Sequence, residues 1–447
     1  MPLRMVPDSD FDYYLIPYDA AGVECVQNGE LTSTQVIHAV ADTSVTDVVL
    51  ISHGWNGDLP AAIGQFDRWI ASMLGCSSDR ARVSAANPNF RALVIGLHWP
   101  SKAWGDETLP QPDASFGSVN GAGGAAEVTD LIEFYSSRLG GGPAVDDAVK
   151  TVIRVALEDP APEKLPPEVV AAYRVLDEQS GLRHDGVGAA PGNDRQVFDP
   201  ELTYQAALAE EEFADFASFG LGGLLAPLRT LTFWAMKKRA RTFGEGSAGM
   251  LLAAVKAAVP EGRRIRFHLV GHSFGCIVAS SCLMGPPGGR SHTASSLTLV
   301  QGALSLWSYC SAVPDGSGMP GYFRRLIVDG LVTGPILTTR SVHDRAVGTF
   351  YPLGAGAAGQ VDFQPGELPK YGGVGSFGAR GPGVSAEDLP MKPVTELYDF
   401  QPGGVYNIEA SDVINQGGGP SGAHSDICHP EVAHAVWQAI ECGATLP

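Results

Sequence analysis

Short apolar runs recur along the chain, and their period separates strands from helices. Asp47 to Ser52 (D-V-V-L-I-S) and Ala92 to His98 (A-L-V-I-G-L-H) are short, nearly unbroken apolar runs, as expected of parallel strands covered on both faces. Tyr13 to Tyr18 predicts a first strand, set near a sheet edge by Pro17. In Arg263 to Leu283, Ile265, Phe267 and Leu269 alternate with Arg266 and His268, the period of a strand, and Val270 extends the run. Ser296 to Leu304, Gly334 to Ser341 and Val405 to Ala410 supply three later strands. Ala61 to Leu74, Ala144 to Ala156 and Glu431 to Ile440 follow the helical period, the last after Pro430 at a helix start. The crossovers between strands are too long for hairpins, so the expectation is an α/β fold with a mostly parallel sheet flanked by helices.

The alternation lapses over 100–243, which we read as a large helical insertion before the strand at Arg263, within a single domain spanning 1–447. Its most apolar part is Phe213 to Met236, followed by Lys237-Lys238-Arg239. The uncharged run Phe216 to Leu228 is too short to span a bilayer and holds Gly220, Gly222, Gly223 and Pro227. A cap or lid over an apolar pocket is one reading of this segment; a buried packing helix is the other. A Gly/Pro-rich stretch over 354–402 has little helical period and reads as a surface excursion.

Between the strand ending at Val270 and an apolar stretch of helix from Cys276 stands Gly271-His272-Ser273-Phe274-Gly275. A strand, a G-x-S-x-G turn and a helix make a nucleophile elbow. The glycines let strand and helix approach, and the serine hydroxyl is lifted above the sheet. The same turn sets the Phe274 N–H at a helix N-terminus, where it can face a developing oxyanion. Gly246-Ser247-Ala248-Gly249 and Gly375-Ser376-Phe377-Gly378 lack the spacing or the preceding strand.

Composition narrows the picture. Of 447 residues, 44% are apolar and 18% charged, enough to bury a large core, and a net charge of −19 argues against nucleic acid or an anionic membrane as main partner. The N-terminus shows no basic stretch followed by an apolar one, and the seven scattered cysteines lack C-x-x-C spacing. Both suit a reducing, cytoplasmic setting.

A serine hydroxyl needs a base to take its proton, and the base needs an acid to hold its tautomer. The order expected is serine, acid, histidine, with both partners in loops at the carboxyl ends of later strands. Gly334 to Ser341 runs into Val342-His343-Asp344-Arg345, making Asp344 the candidate acid. The loop before the closing helix holds His424, the candidate base. Asp315 and Asp329 are rivals for the acid, and His429 and His434 for the base. His272 adjoins the serine, but neighbouring elbow residues point apart, so it is expected to pack or hydrogen-bond behind the turn. His424, Asp426, Cys428 and His429 match no structural-zinc spacing. No metal and no cofactor is expected.

With G-H-S-F-G at the elbow, H-G-W-N-G after an early strand, S-V-H-D-R after the penultimate strand and G-A-H-S-D before the last helix, the chain resembles the α/β-hydrolase superfamily, in its serine esterase and lipase-like branch. The resemblance runs over nearly the whole length. It implies a second oxyanion donor in the H-G loop, the Trp55 N–H, with Gly54 as the next choice; a tight turn needing glycine only for its geometry is the plainer reading. It also implies a small-molecule acyl substrate, a carboxylic ester before a thioester or amide, cleaved through an acyl-enzyme on Ser273. Trp55, Trp99, Trp104, Phe274 and Trp307 are candidates to line an apolar pocket, or simply to pack. Two other readings stand beside this one: a binding or regulatory protein on the same fold, and a lid-gated lipase or acyltransferase.

Overall fold

The computed structural model describes residues 3–42, 44–55, 58–101, 122–209, 223–314, 316–350, 368–418 and 421–444. Nine strands form one sheet: β1 (Leu3–Met5), β2 (Asp12–Pro17), β3 (Asp47–Ser52), β4 (Ala92–His98), β5 (Arg266–His272), β6 (Ser296–Val300), β7 (Ile336–Arg340), β8 (Ala386–Pro390) and β9 (Val405–Glu409). Their order is β1-β2-β4-β3-β5-β6-β7-β9-β8. Only β1 runs antiparallel to its neighbour; every other pairing is parallel. The architecture is α/β, as the alternation of elements predicts.

The apolar runs are unbroken because both faces of the sheet are covered. In β3, Val48 and Leu50 join one buried cluster, while Val49 and Ile51 join another on the opposite face. Leu93, Ile95 and Leu97 of β4 divide from Val94 in the same way. One face carries the helices Leu59–Gly75 and Pro430–Ala444, whose Phe66, Trp69, Val436 and Ile440 pack with Val49 and Ile51. Asp58 caps the first of these helices by accepting from the Ala61 N–H at 2.9 Å. The other face carries the helices Thr32–Asp42, Gly249–Ala257 and Gly275–Met284.

Between β4 and β5 the described residues form the helices Ala122–Arg138, Pro143–Glu158, Pro167–Gln179, Pro200–Ala209 and Ala226–Phe243. Proline leads three of them, where its missing N–H costs nothing. Val149, Tyr173, Leu231 and Trp234 belong to the same buried cluster as Leu50 and Leu269 of the sheet. Much of Phe213 to Met236 lies outside the described residues. From Ala226 onward it is a buried helix that includes Lys237-Lys238-Arg239. Lys237 is fully buried and donates to Asp194 Oδ2 at 2.5 Å. Burial pulls its pKa down to about 8 against the pull of Asp194. Among the described residues no helix is long and apolar enough to cross a membrane.

Two expectations need correcting. Strand β6 stops at Val300, because Gln301 turns into a left-handed backbone with φ 47°. The stretch 354–402, described from residue 368, is more than a surface excursion. It supplies the edge strand β8 and a short buried helix, Val374–Phe377, that packs beside β7. β8 reads A-E-D-L-P, with no apolar alternation, because only its pairing with β9 makes it a strand.

Candidate active site

Ser273 sits where β5 becomes the helix Gly275–Met284, and its φ is 56°. A left-handed backbone is costly for a residue with a Cβ and persists only where its surroundings enforce it. Here the Ser273 N–H donates to the Val300 carbonyl at 3.1 Å and its carbonyl accepts from Ala303 at 3.2 Å. A Cβ on Gly275 would overlap the carbonyl oxygens of Ser52 and His53 on the neighbouring strand. Glycine is therefore obligatory at that crossing. Phe274, at the N-cap, adopts helical angles, and among the described residues its N–H makes no hydrogen bond.

The structure brings Ser273, His424 and Asp344 into one hydrogen-bonded chain. The Ser273 hydroxyl donates to His424 Nε2 at 2.7 Å, and His424 Nδ1–H donates to Asp344 Oδ2 at 2.8 Å. All three side chains are buried. The loops after β7 and β9 are tied together: the Ala423 N–H donates to the His343 carbonyl at 2.8 Å, and Asp344 bridges to Gly422. Asp344 also caps the turn that follows it, accepting from the Val347 N–H at Oδ1 at 3.0 Å. The pattern of strands put these loops at one sheet edge; the ties between them were not readable from it.

His272 lies behind the turn, as expected, but its partner is informative. Its Nε2–H donates to the His424 carbonyl at 2.9 Å, and its Nδ1 accepts from Gln65 Nε2 at 2.8 Å. The residue before the serine thus anchors the backbone of the histidine. Burial, then the nearby His424 ring, lower its pKa to about 3, so it stays neutral and keeps this single tautomer.

The H-G loop after β3 lies directly against the serine. A Cβ on Gly54 would stand 2.7 Å from Ser273 Cβ and 2.9 Å from His272 Nδ1. His53 Nδ1–H donates to the Gly54 carbonyl at 2.8 Å, while its Nε2 meets His98 Nδ1 at 3.0 Å and accepts from the Trp99 N–H at 3.3 Å. Burial and the adjacent His98 depress the His53 pKa to about 3, which holds this neutral form. Because a trans peptide points its C=O and N–H in opposite directions, fixing the Gly54 carbonyl also fixes the Trp55 N–H. The Trp55 ring packs edge-on to Phe233 at 5.3 Å and tilted to Phe274 at 5.8 Å, and Phe233 meets Phe274 at 5.1 Å. These three rings form one aromatic cluster, joined to the elbow through Phe274.

The rivals lie elsewhere. Asp329 pairs with Arg325 at the surface at 2.7 Å, and Asp315 is outside the described residues. His429 pairs with Asp426 at 2.7 Å, and His434 is buried between Asp79 at 2.8 Å and the Glu396 carbonyl at 2.7 Å. Trp99 stacks on His53 with centroids 5.9 Å apart, Trp307 donates to the Lys370 carbonyl, and Trp104 lies outside the described residues. Among the described residues no group of three or more His, Cys, Asp or Glu could hold a metal ion. The pattern alone missed Gln301, which is buried against Asp344 with its Nε2 2.9 Å from Oδ2. It stands just past the end of β6.

Comparison of the chain with protein-family models, with curated proteins and with solved structures finds no match.

Proposed function

We propose that the protein is a serine hydrolase of the α/β-hydrolase type, cleaving an acyl bond, most simply a carboxylic ester, through an acyl-enzyme on Ser273. The observation that carries this is a left-handed Ser273 whose hydroxyl is 2.7 Å from a histidine held by a buried aspartate, with the Gly54 backbone pressed against its Cβ. Ser273 attacks the carbonyl as His424 Nε2 takes its proton. Asp344 holds the tautomer and stabilises the imidazolium. The N–H groups of Phe274 and Trp55 receive the oxyanion, each contributing about 3 kcal/mol. His424 then returns the proton to the leaving alcohol, and water releases the acyl group by the reverse sequence. The aromatic cluster of Trp55, Phe233 and Phe274, which includes the residue next to the serine, supports an apolar acyl or alcohol group as substrate.

The test is labelling with a fluorophosphonate, read by intact mass and peptide mapping, on wild type, Ser273→Ala and Ser296→Ala. One adduct on Ser273, lost only in Ser273→Ala, is expected. A folded wild type without an adduct would overturn the reading in favour of a binding protein on this fold. A series of p-nitrophenyl esters then defines the chain length.

A further inference from the structure

Just past the end of β6, one strand over from Ser273, Gln301 is another of the non-glycine residues with a left-handed backbone, at φ 47°. Its side chain is fully buried, and each polar group has a partner. Nε2 donates to Asp344 Oδ2 at 2.9 Å and to the Gly375 carbonyl at 3.2 Å. Oε1 accepts from Thr339 Oγ1 at 2.8 Å, and the Gln301 N–H donates to the same hydroxyl at 3.0 Å. The amide orientation follows from this chemistry. A carboxylate and a carbonyl stand on one side, so the amide must present its NH2 there.

Gly375, from the short helix Val374–Phe377, locks the arrangement. Its N–H donates to the Gly302 carbonyl at 2.9 Å and its carbonyl accepts from Ser341 at 2.9 Å, tying the end of β6 to the end of β7. A Cβ there would stand 2.7 Å from the Gln301 carbonyl carbon and 3.1 Å from Asp344 Oδ2. Asp344 therefore receives three donors: His424 Nδ1 and Gln301 Nε2 on Oδ2, and the Val347 N–H on Oδ1. Donors on both oxygens stop the carboxylate from rotating away from His424.

We propose that Gln301 is a positioning residue: its side chain, carried on the left-handed turn just past β6, orients Asp344 and so sets the tautomer of His424. Its consequence for rate rests on the hydrolase reading; its consequence for the Asp344–His424 bond does not. The titratable groups around the Gln301 amide are Asp344 and His424, with His272 beyond His424, while Thr339 and Gly375 carry no charge.

Gln301→Glu and Gln301→Met in the full-length protein test it, with kcat and KM for a p-nitrophenyl ester followed across pH. In Gln301→Glu two carboxyl groups share one proton. At low pH the introduced group still donates to Asp344; as pH rises that proton leaves and the two charges repel. The expected result is near wild-type kcat on the acid side and a loss on the alkaline side that wild type lacks. Gln301→Met should lower kcat by about 10- to 100-fold at every pH with KM little changed. The downfield proton NMR signal of His424 Nδ1–H should weaken or shift in Gln301→Met. Should Gln301→Met fail to fold, Gln301→Glu, of equal volume, carries the test alone. Wild-type pH profiles and an unmoved signal would overturn the proposal. So would an equal loss at all pH in Gln301→Glu with that signal unmoved, which marks packing alone. A signal that responds to substitution in a protein that neither labels nor turns over would leave the positioning role standing and remove the hydrolase reading.

Discussion

Among the described residues two Ser–His–Asp chains stand at opposite ends of neighbouring strands. At the carboxyl edge are Ser273, His424 and Asp344. At the amino edge Ser296 Oγ lies 2.8 Å from His268 Nδ1, and His268 Nε2 lies 3.0 Å from Asp47 Oδ1. The residue types agree and the distances nearly so, yet the surroundings differ in every respect that matters to chemistry. Ser296 and His268 face each other in regular register on β6 and β5, with no left-handed turn and no helix N-terminus beside the hydroxyl. The ring is also reversed, with Nδ1 toward the serine. Asp47 is neutralised by Arg266, which donates from Nε and Nη2 at 2.7 and 2.8 Å; among the described residues the ion-pair partner of Asp344 is His424. A hydrogen-bonded chain of the right residues is thus easily made by packing. What separates the first chain is the strained turn, the H-G loop against it and an acid left uncompensated by a fixed cation.

Four substitutions sharpen or break that contrast. Asp344→Asn should lower kcat by about 10⁴-fold, because an amide meets donors at both oxygen positions and misdirects the His424 tautomer. Asp47→Asn should leave kcat unchanged; parallel losses would erase the distinction. Gly54→Ala should cost about 10²- to 10³-fold in kcat, as its Cβ pushes the H-G loop off the serine, and slow fluorophosphonate labelling to match. In stability the roles reverse. Burial would raise the Asp47 pKa, but the hydrogen bonds from His268 and Arg266 win and lower it from 3.8 to about 2. The depressed value means stability of roughly 2 kcal/mol that is present above pH 4 and lost as pH falls through about 2. Urea melts should therefore show Asp47→Asn less stable at neutral pH, with the gap to wild type closing between pH 4 and 2. The smallest effect is expected from His429→Gln. Its pair with Asp426 is part-exposed, so stability should change by less than about 1 kcal/mol, with kcat unmoved.

The sequence made the carboxyl-edge chain legible because its members sit at punctuation: a glycine-flanked turn and two loops after apolar runs. Asp47, His268 and Ser296 carry no such marks; their meeting is a matter of strand order and register, which the pattern of one strand does not state. Gln301 was hidden for a related reason. Its strand was expected to run on to Leu304, and only the left-handed break at its end turns the side chain to Asp344. The Val374–Phe377 helix and β8 escaped because short elements in a Gly/Pro-rich stretch owe their form to neighbours rather than to period.

The strand order has a consequence for how the chain must be assembled. β8 precedes β9 in the chain but lies outside it, so its one partner is made later. Until β9 is made, β8 has no neighbouring strand to pair with. Its residues Glu387 and Asp388 and its terminal Pro390 suit that interval, since charge and proline discourage strand-to-strand association between chains. Placing β9 beside β7 also carries the loop with His424 toward Asp344. The hydrogen-bonded chain at Ser273 therefore needs β9 in its place in the sheet.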